Sequence, residues 1–308
     1  MAKVFKSSPK CAQIMWFPES SLFQMPGKIL LCIFFSILTA TTVKGQTGTG
    51  DISSLSQMQI ENFATKFILR NEMRLQNECN KKALGDWLYA TNLTEENEAA
   101  NLNSTIRYAR QMKRFWKTLM RYPWNSFENR TLYRFFRLKS NLGESILPVH
   151  QWREFTKNLN AMKKIYGDAR VCHFRYKKRC NLTIDGYLTR AMAYSRNTEE
   201  LLYYWKEWRE KTGFEMRAKF PRYVHLANVA AHMNGFADMG ELWVEGYESD
   251  FFKQDIHALW GQVKPLYQEL HAYVREKLRL FYGDEKVSAD GMIPAHLLGN
   301  MWGQIWTG

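Results

Sequence analysis

From Ser56 onward the apolar residues of this chain recur at intervals of three and four, the spacing of one face of an α-helix. The clearest stretch is NTEELLYYWKEWREKTG. Leu201, Tyr204, Trp205 and Trp208 stand there at i, i+3, i+4 and i+7, behind Asn197 as a cap and Glu200 at the capping-box position, and Gly213 is expected to end the helix. Ile60, Phe63, Phe67 and Ile68 open a long amphipathic segment towards Trp87, and a second runs from Ile106 through Met112, Phe115 and Trp116 to Met120, closed by Pro123. The longest candidate lies between Phe251 and Tyr282, where Pro265 predicts a kink or break. Alternating patterns never exceed a few residues and no segment repeats, so the expected fold is all-α. No Gly/Ser linker divides the chain after Gly50, which predicts one continuous domain over 46–308 behind a frayed QTGTGDISSLS start.

Residues 1–45 read as a signal peptide. Ile29 to Ala40 is a mostly apolar run of twelve residues behind Lys28, Val43 and Gly45 suit a cut before Gln46, and Met25 makes a good alternative start. A bilayer span needs roughly 20 apolar residues, so a membrane association follows only if this leader is retained as an anchor. Export agrees with four Asn-X-Ser/Thr sequons, at Asn92, Asn103, Asn129 and Asn181. Cys11 and Cys32 would leave with the leader. Of the remaining three cysteines, Cys172 and Cys180 are close enough to staple the basic loop CHFRYKKRC, and Cys79 is left over.

The formal net charge is +13, and removing 1–45 leaves the rest still basic. Runs such as RQMKRFWKTLMRY interleave cations with aromatics, yet in an exported chain the simpler reading is a solvated helix face over a buried aromatic one, with no nucleic-acid partner. Seven histidines invite a metal search that fails. His225 and His232 share a helix face but lie about 10 Å apart along its axis, too far to grip one zinc. His271 and His296 have no ligand at a useful spacing, and the chain contains no His-Glu-X-X-His, no Gly-X-Ser-X-Gly and no phosphate-binding glycine loop.

Four blocks nevertheless stand in a distinctive order: YWKEWREKTG, GFADMGELWVEGYESDFFKQD, KPLYQELHAYVREKLRLFYGDEKVS and IPAHLLGNMWGQIW. Together they closely resemble the angiotensin-converting enzyme family of zinc peptidyl-dipeptidases, and its secreted invertebrate members in particular. The resemblance spans about residues 57 to 308 and is strongest from Cys172 onward. It implies the N-terminal half of a large, mostly helical domain with a central cleft, acting on small peptides with zinc and chloride as cofactors. It places Cys172 and Cys180 at the family's first disulfide. Gln304 matches the amide that donates to a peptide's C-terminal carboxylate, Arg209 an arginine at one chloride site, and Tyr247 a tyrosine at the other. An amide orients a carboxylate without carrying charge, and a guanidinium gives charge-assisted hydrogen bonds to an anion.

In that family the zinc motif and the third zinc carboxylate lie beyond the IPAHLLG block, so no zinc ligand and no catalytic residue is assigned here. The expectation is a fragment inactive by itself, with the aromatic faces of Trp205, Trp208, Trp243 and Trp302 meeting water. Gly303 departs from the family's alanine and Ile305 from its polar residues. Two rival readings are a non-catalytic secreted relative that binds peptides, and a cationic helical protein that binds acidic polymers in a salt-dependent way.

Overall fold

The computed structural model describes residues 55–304 and 306; the expected leader peptide and its expected cut before Gln46 lie outside them. Nine α-helices carry the described fold, joined by 3-10 and π turns. Its sole strand-like feature is one antiparallel bridge between Val171 and Leu182. The all-α expectation holds.

The helices begin where their caps place them. α1 (Gln57–Thr91) starts at Ser56, which accepts from the Gln59 N–H while the Gln59 side chain accepts in return from the Ser56 N–H. α2 (Glu95–Leu119) starts at Thr94 with three acidic residues in its first turn, complementing the positive end of the helix dipole. These two helices pack along their length. With α3 (Arg130–Ser140) they close a first core around Ile68, Leu75, Phe115, Leu119 and Phe136. A second core joins α2 to α4 (Val149–Asp168), α7 (Phe220–Met233) and α8 (Met239–Val244), through Ile106, Leu147, Phe155, Leu226 and Ala230.

The third core organises the site. It gathers the 169–184 hairpin, α5 (Thr189–Tyr194), α6 (Thr198–Arg209) and the segment 287–301 around Leu188, Met192, Leu201, Tyr204, Trp208 and Met301. Leu201, Tyr204 and Trp208 are all buried, as their spacing predicts, each contributing roughly 1.5–3 kcal/mol of apolar burial.

Three expectations require correction. Gly213 does not end α6; it lies inside a π turn, Glu210–Phe214, that carries the chain on past Arg209. Of the kink or break expected at Pro265, the break is missing, since α9 (Phe252–Tyr282) runs unbroken through Pro265. The proline forfeits one bond to the Gly261 carbonyl, and the helical turns on either side continue across it. Cys79, finally, is not left over: it is buried on α1 and disulfide-bonded.

α9 has no buried residue. Ile256, Trp260, Val263, Tyr267 and Leu270 repeat at alternating steps of four and three along one stripe, all at least 42% exposed. Its C-terminal turns reach the third core through Leu278 and Tyr282. No helix among the described residues is long and apolar enough to cross a membrane.

Candidate functional site

α6 delivers the site. Asn197 caps it by accepting from the Glu200 N–H at 2.9 Å, while the Glu200 carboxylate is taken by the Ser195 hydroxyl at 2.7 Å, so the expected capping box is only half formed. Lys206 and Arg209 stand in its last turn, where cations suit the negative end of the dipole. One turn after Trp205, the Arg209 guanidinium lies 3.6 Å over that indole. Arg209 donates to the Trp205 carbonyl at 3.1 Å and, 92 residues away in sequence, to the Met301 carbonyl at 2.8 Å and sulfur at 3.3 Å. Burial holds its pKa below the ordinary arginine value, against a weaker opposing pull from Tyr166.

Beside this guanidinium the Trp205 Nε1–H is buried and has no hydrogen-bond acceptor, one of two such side-chain atoms among the described residues. A buried orphan donor costs about 1–3 kcal/mol, which an arriving acceptor would recover. An indole N–H and a stacked cation on the same side chain are the donor chemistry of a small-anion site.

Gln304 is brought to the same end of the fold, because Met301 fastens its segment to Arg209. The Asn300 side chain accepts from the N–H groups of Trp302 and Gln304, at 2.9 and 3.2 Å, and Trp306 Nε1 donates to the Gly303 carbonyl at 2.7 Å. The Gln304 side chain is exposed. Gly303 has φ +62°, and a Cβ there would stand 3.1 Å from Leu298, which accounts for glycine in place of alanine. Tyr247 is not part of this cluster. It sits on a 3-10 turn, 66% exposed and stacked 4.1 Å on Phe252, flanked by the ion pairs Arg137–Glu245 and Arg134–Glu248. Of the tryptophans expected to meet water, Trp243 and Trp302 do, Trp205 is partly covered, and Trp208 is buried in the third core.

A cavity of about 390 Å³ opens alongside, between α5, α9 and the terminal segment. Met192, Leu201, Tyr273 and Phe281 supply apolar walls, and Arg196 and Lys277 supply the charge. Burial raises the Tyr282 phenol and the Arg196 charge partly offsets it.

The zinc implied by resemblance has no fitting donor set: no group of three or more His, Cys, Asp or Glu able to hold a metal occurs among the described residues. His225 and His232 are exposed on α7, the latter sharing a hydrogen bond with the Ala237 carbonyl. His296 is partly buried, which lowers its pKa. Cys172 and Cys180 are joined by a disulfide. Asn92, Asn103, Asn129 and Asn181 are all exposed, and Asn129 also caps α3 through its Oδ1.

Sequence reasoning missed two residues. The orphan donor of Trp205 was visible only as an apolar stripe position. His173 is buried: its Nδ1 accepts from the N–H groups of Arg175 and Tyr176, and its Nε2 meets the Tyr187 hydroxyl at 3.0 Å. The one available signal was a histidine directly beside a cysteine.

Residues 58–308 match the family model described as angiotensin-converting enzyme. Angiotensin-converting enzyme of Haematobia irritans exigua is 35% identical over 247 residues, covering 80% of this chain and 40% of that protein. The enzyme of Mesocricetus auratus is 37% identical over 247 residues, covering 80% of this chain and 19% of its own length. Angiotensin-converting enzyme-like protein Ace3 of Mus musculus is 36% identical over 284 residues, covering 92% of this chain and 37% of its own. The chain therefore spans less than half the length of these curated relatives.

Proposed function

Since the chain belongs to the angiotensin-converting enzyme family, we propose that residues 46–308 supply the N-terminal part of a secreted zinc peptidyl-dipeptidase domain, the part that lines the cleft and holds anions. The observation carrying this reading is the union of Arg209, Trp205 and the Gln304 segment at one end of the fold. In this reading Gln304 donates its amide to the C-terminal carboxylate of a small peptide. Arg209, with the orphan Trp205 N–H, holds one chloride, and Tyr247 contributes to the other. The glycans stand on Asn92, Asn103, Asn129 and Asn181. Zinc and the groups that cleave the peptide come from further residues of the domain, which also cover the bare stripe of α9, so no hydrolytic step is assigned to this chain.

The test uses the full chain, expressed with its own leader and purified from the medium. It is expected to carry no stoichiometric zinc and to release no C-terminal dipeptide from a reporter peptide, and to gain chelator-sensitive activity when co-expressed with the C-terminal half of the fly relative. Chelator-sensitive peptidase activity from this chain alone would refute the division of labour. Chloride is expected to raise the unfolding temperature of the native chain and to have less effect on Arg209→Gln, as binding to the folded state requires.

A further inference from the structure

The stretch from Ala169 to Ile184 contains five cations, Arg170, Arg175, Lys177, Lys178 and Arg179, and no carboxylate. Such a run of like charges is ordinarily a mobile, solvated loop that must lose conformational freedom to hold a ligand. Here it is locked. Val171 and Leu182 exchange both N–H···O bonds, at 3.0 and 3.1 Å, and the His173 N–H donates to the Arg179 carbonyl and the Arg179 N–H to Tyr176, each at 2.8 Å. The disulfide closes the base, the buried His173 ring takes the two N–H groups at the tip, and the Phe174 N–H donates to the Tyr204 hydroxyl at 3.0 Å.

None of the ion pairs among the described residues involves these five cations. Lys177 is instead docked 3.5 Å over the Tyr203 ring and 5.3 Å from that of Phe174. Arg175, Lys178 and Arg179 remain exposed and unpaired with any acid, on a backbone whose ordering has already been met by internal bonds.

We infer that the hairpin Cys172–Cys180 is a docking surface for a sulfated polysaccharide. Single-stranded nucleic acid needs open aromatic faces on which bases stack. Lys177 lies over one face of Tyr203 and near Phe174, and His173 meets Tyr176 at a tilt, 4.9 Å away, so the hairpin offers one exposed ring, Tyr176, rather than the series of open rings that successive bases need. A disulfide also persists where the environment is oxidising, outside the cytosol, and the polyanions of that setting are sulfated rather than nucleic. Arginine and lysine side chains recognise sulfate oxygens by the same charge-assisted hydrogen bonds they make to phosphate.

The test is elution of the full chain from immobilised heparin by a salt gradient. Arg175→Gln/Lys178→Gln/Arg179→Gln is compared with a matched control, Arg110→Gln/Lys211→Gln/Arg217→Gln, which removes three exposed cations elsewhere. Both keep the disulfide, and far-UV circular dichroism checks that both keep their helices. The hairpin variant is expected to elute at clearly lower salt, with the slope of log affinity against log salt shallower by up to about one per cation removed, and the control to elute near the native position. Cys172→Ser/Cys180→Ser, with the charges unchanged, is expected to weaken retention several-fold through lost preorganisation. Equal losses in the two triple variants would show a diffuse charge effect and overturn the inference. Competition by double-stranded DNA as effective as by soluble heparin at equal charge would overturn the assignment to polysaccharide.

Discussion

Removing one oxygen should loosen the hairpin without disturbing the core beneath it. Tyr204 is fully buried, its ring meets those of Tyr187 and Tyr203 edge-on at 5.8 and 5.4 Å, and its hydroxyl accepts the Phe174 N–H. Burial drives the phenol well above its ordinary range, so it stays neutral and keeps this role throughout accessible pH. In Tyr204→Phe the ring packing survives and the Phe174 N–H loses its acceptor. A stranded buried donor costs about 1–3 kcal/mol, and Phe174 is partly exposed, so water recovers some of that and about 1–2 kcal/mol remains. For a chain of this size that is a fall in Tm of about 2–8 °C, read by far-UV circular dichroism. Hydrogen exchange localises the effect: protection of the Phe174 amide is expected to fall roughly 5–30-fold, the factor matching that energy, and that of the Phe115 amide in the first core to fall by clearly less. If Phe174 exchange is unchanged, or both amides lose protection equally, Tyr204 does not anchor the hairpin and the reasoning fails.

Two further outcomes follow from single residues. Glu78 is buried on α1 and its pKa is held below the ordinary 4.5, first by its hydrogen bonds from Arg107, against the desolvation that raises it. Its contribution is therefore fully present above the ordinary glutamate range and lost as pH falls through the lowered folded value, so the Tm gap between native chain and Glu78→Gln should close in acid; a gap independent of pH would contradict the ion pair. Gly303→Ala forces a Cβ into the left-handed region and against Leu298, costing about 1–2 kcal/mol at the Arg209–Met301 clamp. Changed emission from Trp302 and Trp306 together with a lower Tm is expected, and an unaltered spectrum and Tm would show that the segment tolerates alanine there.

Much of the helical layout was legible from residue order because its causes are local. Asn197 caps α6, and the spacing of Leu201, Tyr204 and Trp208 puts them on one buried face, since 3.6 residues per turn fixes which side chains share a side. The blocks ending in IPAHLLGNMW likewise carried the family, which the match over 58–308 bears out. Local reasoning failed where the outcome depended on surroundings. Pro265 alone argues for a break, but one lost bond inside a helix of 31 residues leaves the turns on either side intact. The stripe on α9 is apolar by periodicity, yet nothing in that periodicity says whether it is covered, and on these residues it is bare. Resemblance singled out Arg209 among 43 Lys and Arg, but its contacts emerged only when the fold laid Met301 against it and left the Trp205 N–H beside it without an acceptor. Those facts join residues 92 positions apart and exclude water from one atom. Chain closure over such a distance and the absence of an acceptor are properties of the packed whole, so tertiary structure alone decides them.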